Sequence, residues 1–233
     1  HTGVPYFGVT DQYGARTAVT FGERELRQRL ARAGCPIVGC LYPFPDYKLP
    51  AVIVTERGFE EPSFNVADLV ATTSGRHHPH EGRFAFSESL ARRVFVRNGL
   101  AAATANSFLV LAGRSDAARR RLPDPSVLAF AYSTGRDRCY AKETRTVRAG
   151  DALRVERRPL YPGAAPPRRA PVRQTLVDED YVCGEVLYGG LERILGQRGW
   201  SVVQVVEWIR PLVELLRMRA TGEPREPREA GAV

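Results

Sequence analysis

The stretch "LARAGCPIVGCLYPFPDYKLP", residues 30–50, decides the reading of the fold, because it passes from a helix end through a strand into a turn dense in aromatic and charged side chains. Its helix begins upstream in "TFGERELRQRLARAG", where Thr20 and Glu23 have the spacing of a capping box. Leu26, Leu30 and Ala33 then recur at helical intervals, and Gly34 supplies the stop. The following "IVGCLY", residues 37–42, is short, apolar and β-prone, which predicts a strand largely covered by neighbours. Pro43 and Pro45 have no amide to give a ladder, so the strand should end there, with Asp46, Tyr47 and Lys48 at its tip.

Working outward, residues 56–83 show weak periodicity, prolines, glycines and the cluster "RHHPHEGR", and are expected to form a long excursion with little regular structure. Pro79 breaks any helix that could align His77 with His80, and no cysteine supports them, so a solvated loop is expected rather than a metal site. A helix over 87–98 carries Leu90, Ala91 and Val94 on one side and stops at Gly99, and "NSFLVLAGR" supplies a second strand. The polar, proline-containing "SDAARRRLPDPS", residues 115–126, reads as a linker. Beyond it, residues 127–150 predict two strands about a turn at 133–136, and "ALRVERRPLYP" predicts a third. Helices are expected over 185–197 and from 201 to about 218, the second opened by a Ser201 to Gln204 capping box and kinked at Pro211. Residues 221–233 carry few apolar side chains and are expected to be disordered.

With 233 residues and 43% hydrophobic side chains the chain can bury a substantial core. It shows no apolar run near the roughly 18 residues of a membrane span and no charged-then-apolar leader, which predicts a cytoplasmic protein without a membrane span. The net charge of +8 is spread over both halves, and all but two of the 34 basic residues, Lys48 and Lys142, are arginine. Diffuse charge of that kind predicts no nucleic-acid partner. The four cysteines lack metal-ligand spacing and are expected to be reduced and buried.

The succession "TFGERELRQRLARAG", "YPFPDYKLP", "FSESLARRVFVRNGL" and "ANSFLVLAGR" resembles the C-terminal half of a class I S-adenosylmethionine-dependent methyltransferase, of the branch associated with lipopolysaccharide and other surface glycans. The opening "YFGVTDQYGARTAVTF" is similar to the loop that precedes this helix in that branch. The resemblance covers residues 1–114 and implies α/β architecture: the end of a doubly wound Rossmann-like sheet, closed by an antiparallel hairpin of residues 37–42 with 107–113. Residues 127–220 resemble the start of a kinase-like region, a small α+β unit in which Lys142 would occupy the place of a phosphate-contacting lysine. The implied cofactor is S-adenosylmethionine, yet no glycine-rich turn precedes a helix in the first half, so no cofactor-binding residue is expected in this chain.

Methyl transfer asks the protein mainly to align the acceptor with the methyl group. Tyr6, Asp11, Tyr13 and Arg16, with Asp46, Tyr47 and Lys48, offer hydroxyl, carboxylate and guanidinium or ammonium groups suited to a polar sugar or phosphate. A plainer account stands beside this one: Asp46 with Lys48 as an exposed pair worth about 0–1 kcal/mol, and Tyr47 as cover for the core edge. Glu23 and Glu25 are explained by helix capping. The expected function is therefore a fragment of a methyltransferase acting on a glycan or small acceptor, inactive without its cofactor half. The alternatives are a non-enzymatic module docking on a separately encoded cofactor-binding half, and a phosphotransferase small lobe.

Overall fold

The computed structural model describes residues 21–73, 87–115, 117, 119–165 and 174–221. The chain forms two compact units, His1–Glu185 and Val186–Val233.

In the first unit, α1 (Glu23–Arg32) starts at Gly22 without a side-chain cap; Thr20 lies outside the described residues. Glu23 instead takes Arg27 one turn later at 2.7 Å, and Arg27 reaches on to Glu56 at 2.5 Å. The helix stops at Gly34, whose φ of +71° is open to glycine and strained for other residues. The chain then runs through β1 (Ile37–Phe44), a turn over residues 45–51 with a cis bond before Pro45, and β2 (Val52–Thr55).

Residues 56–73, expected to lack regular structure, carry two short helices, α2 (Glu56–Glu60) and α3 (Val66–Ala71). Each is started by one polar side chain: Thr55 accepts from the Gly58 amide at 3.0 Å, and Asn65 accepts from the Asp68 amide at 3.3 Å. Five or six residues are too few to display a 3.6-residue period, which is why the sequence pattern misses them. The histidine cluster lies outside the described residues. Ser87 caps α4 (Glu88–Arg97) through the Leu90 amide. Then come β3 (Leu109–Ala112), β4 (Val127–Tyr132), β5 (Lys142–Ala149), β6 (Ala152–Pro159) and the two-residue β7 (Glu179–Asp180).

The strands form one open sheet in the order β3-β1-β2-β4-β5-β6-β7. The fold is thus mixed α/β, as expected, but every pairing among the described residues is antiparallel, where a doubly wound sheet has parallel neighbours. The connections explain this: β1 to β2 and β5 to β6 turn back through a few residues, too short for the helical crossover that parallel neighbours require. The pairing of β1 with β3, Ile37↔Ala112 through Leu41↔Leu109, is antiparallel as anticipated, but it is no hairpin: β2 and three helices lie between the two strands, and β1 turns back directly into β2. Residues 115–126, read from sequence as a linker between domains, join β3 to β4 within this sheet, because β4 pairs with β2 (Val54↔Ala129). The division into compact units falls between Glu185 and Val186.

Register places Tyr42, Val54 and Ala129 abreast, and Phe44, Val52 and Ala131 beside them. Together with Phe64, Val66, Val70 and Leu153 these side chains make the core, with Phe59 of α2 set edge-on to Tyr42 and Phe44. Gly58 permits a close backbone approach, since a Cβ there would stand 2.2 Å from the Leu128 carbonyl oxygen. Arg93 of α4 meets Asp68 of α3 at 2.8 Å with both side chains only 4% exposed, so each charge is compensated by the other. The opposite sheet face sets Ile53, Phe130, Arg145 and Glu156 in one row and Tyr132, Glu143 and Arg158 in the next.

The second unit is a helical pair, α5 (Leu187–Leu195) and α6 (Val202–Thr221). The capping box read from sequence is present: the Ser201 amide donates to Gln204 Oε1 at 2.8 Å and the Gln204 amide to Ser201 Oγ at 3.3 Å. Gly190 lets Trp208 lie against α5, a Cβ at that position falling 2.6 Å from the indole. No described helix is long and apolar enough to cross a membrane. Residues 222–233 lie outside the described ones.

Candidate functional site

The turn and strand ends of the first unit enclose a groove of about 580 Å³. Its floor is Val52, Ala131 and Thr144, adjacent across β2, β4 and β5. Leu49 and Pro50, the last residues of "PFPDYKLP", form one wall, and the end of α3 with Leu69, Thr72 and Thr73 forms another. The β4–β5 connection, from Tyr132 through Arg136, completes the lining.

Local hydrogen bonding fixes these walls. Ser133 receives the Lys142 amide on its hydroxyl at 3.1 Å and returns its own amide to the Lys142 carbonyl at 3.0 Å, which clamps the β4–β5 connection at its base. Thr72 and Thr73 donate their hydroxyl protons to the carbonyls of Leu69 and Val70, at 2.6 and 2.7 Å. Both side chains are thereby held against the end of their own helix, and Thr73 is fully buried at 1% exposure. Arg136 contributes the complementary chemistry, a planar group with donors only, suited to carboxylate or phosphate. Tyr132 sends its side chain to the opposite sheet face, beside Glu143, where burial first and the Glu143 carboxylate next push the phenol up to about 12. The lining holds no carboxylate, imidazole or thiol among the described residues, and so no general base of ordinary pKa.

The residues singled out from sequence stand in three places. Tyr6, Asp11, Tyr13 and Arg16 lie outside the described residues. Asp46, Tyr47 and Lys48 lie on the turn that leads into the groove, whose lining begins at Leu49. The Asp46 carboxylate accepts the amides of Lys48 at 2.7 Å and Leu49 at 3.4 Å, so it shapes the turn. Lys142 starts β5 outside the groove lining, and its ammonium is held below the ordinary lysine value, first by burial and then by the positive charges of Arg157 and Arg136. Sequence reasoning missed Thr72, Thr73, Arg136 and Thr144. Arg136 had a signal, since the turn at 133–136 was legible, whereas the threonines lie on elements whose pairing no local pattern reveals.

Among the described residues no group of histidine, cysteine, aspartate and glutamate side chains could hold a metal ion. Nor do they fit S-adenosylmethionine: β2 passes straight into α2 through Thr55, without a glycine-rich turn between strand and helix. No family model matches the chain, and no curated protein or solved structure matches it either.

Proposed function

We propose that the first unit binds a small hydroxylated anion of the sugar or sugar-phosphate class in the groove, as the acceptor side of a group-transfer reaction. The observation that carries this is the lining: hydroxyl side chains from Ser133, Thr134 and Thr144, a guanidinium at the β4–β5 connection that donates, and, among the described residues, no carboxylate, imidazole or thiol. Such a set holds and orients a polyol without supplying acid–base chemistry. The methyl-transfer reading rests on the sequence resemblance of residues 1–114 alone, since the antiparallel sheet lacks the parallel neighbours of that family's fold. Because the described residues do not fit S-adenosylmethionine, that cofactor would be bound by another part of the protein or by a separate chain.

Calorimetric titration of the chain with glucose 6-phosphate, glucose and inorganic phosphate tests the proposal. The sugar phosphate should bind most tightly, and Arg136→Ala should weaken it about 10- to 100-fold, as loss of a hydrogen bond to a charged group does. Absence of binding by all three at millimolar concentration would overturn it. Titration with S-adenosylmethionine should give no binding, and micromolar binding would move the cofactor site into this chain.

A further inference from the structure

The groove of the first unit is polar at one end and apolar at the other, and strand register sets the direction of the change. Its floor runs from Val52 on β2 to Ala131 on β4 and Thr144 on β5, each directly opposite the next. One strand further stands Arg157, whose guanidinium is engaged with Glu179 at 2.8 Å and with the Val177 carbonyl at 2.6 Å. Arg136 is the cation that the lining itself presents at this end, together with the hydroxyls of Ser133, Thr134 and Thr144.

At the β2 end the character reverses. Leu49 and Pro50 lead into Val52, and Leu69 arrives from α3, which packs on β2. Thr72 and Thr73 give their hydroxyl protons to the carbonyls of Leu69 and Val70, so neither offers a hydroxyl proton to a ligand there. A single exposed leucine is ordinary. Leu49, 65% exposed, differs because its turn is fixed. The Asp46 carboxylate accepts the amides of Lys48 at 2.7 Å and Leu49 at 3.4 Å, and the Ala51 amide closes on the Phe44 carbonyl at 2.8 Å. The turn over residues 45–51 thus holds an apolar side chain at the edge of the groove.

Resting on the sugar-phosphate reading of this groove, we propose that its ligand carries an apolar substituent at the end away from the phosphate, seated against Leu49, Pro50 and Leu69 while the phosphate lies on Arg136. Two strand spacings, about 10 Å, separate Val52 from Thr144, so a hexose bridges the two ends and its substituent reaches the apolar wall. The reversed orientation would set the charge against leucine and the apolar group against the guanidinium, which loses both the charged hydrogen bonds and the burial.

Calorimetric titration of the chain with glucose 6-phosphate and with phenyl β-glucoside 6-phosphate tests this. The phenyl glycoside should bind at least about fivefold more tightly, because part of its ring leaves water. Leu49→Ser, at an exposed turn position, should bring the ratio of the two affinities close to one. Leu69→Ala, with its fold checked by circular dichroism, should lower the ratio in the same direction, whereas Arg136→Ala should weaken both ligands by a similar factor and keep it. Equal affinity of the unsubstituted chain for the two phosphates would overturn the apolar end and leave the sugar-phosphate reading in place. So would a preference that survives both leucine substitutions. Phenyl β-glucoside bound as tightly without its phosphate, or no binding of either phosphate, would overturn the sugar-phosphate reading and the orientation with it.

Discussion

Valine side chains fare differently in the two units, and the contrast is instructive. In the first, Val54 is fully buried, lying between Tyr42 and Ala129 across three strands. In the second, Val203 is 67% exposed on a helix with one neighbouring helix. A seven-stranded sheet presents a broad surface that α2, α3 and α4 can seal, whereas two helices meet along one line and leave most of their circumference uncovered. The first unit therefore encloses a core of its own, and the second leaves many apolar side chains exposed. Both tryptophans, Trp200 and Trp208, belong to the second unit, so indole emission follows that unit, while eight of the nine tyrosines belong to the first and only Tyr188 to the second.

The strongest way to break the first unit is Asp68→Ala, which leaves Arg93 buried without its carboxylate. Urea unfolding followed by near-ultraviolet tyrosine dichroism should show a loss of about 3–5 kcal/mol. Val54→Ala should cost about 2 kcal/mol by the same probe, from lost transfer energy and a residual cavity. Ser87→Ala removes the cap of α4 and should cost about 1 kcal/mol. Acid should act on the tie between Glu61 and Arg148, whose Nε donates to the carboxylate at 2.9 Å. The Arg148 guanidinium first, and Ser63 next, lower the Glu61 carboxyl from 4.5 to about 2. The sheet should thus keep the full benefit of this tie above pH 4.5 and lose it as pH falls towards 2, and Glu61→Gln should flatten that part of the stability profile. Val203→Ala, the counterpart of the core substitution on the helical pair, should change tryptophan-detected unfolding by less than about 0.5 kcal/mol. A cost near that of Val54→Ala would erase the contrast between the units.

Much of the secondary structure was legible from the chain. Gly34 and Gly99 ended their helices where expected, Ser87 and Ser201 began theirs, and the alternating run at 127–159 gave three strands. These features are written in adjacent residues. The partnership of β2 with β4 was not legible, because it joins residues some 75 apart through backbone groups that every residue possesses. Without it, residues 115–126 look like a break between domains, and the Val52, Ala131 and Thr144 floor of the groove cannot be foreseen. Asp46 illustrates the converse: its charge attracted a functional reading, while its carboxylate is engaged with the amides of its own turn.

The turn at residues 150–151, with Gly150 at a φ of +61°, sets Ala149 directly against Ala152. Closing so small a loop sacrifices little chain entropy, whereas setting Cys40 beside Val110 must first draw together distant parts of the chain. The sheet should therefore assemble in order from β5 and β6, with β1 and β3 joining late. Pulse-labelled hydrogen exchange during refolding should find the amides of β5 and β6 shielded before those of β3, which would make the far edge of the sheet the last part of this molecule to become native.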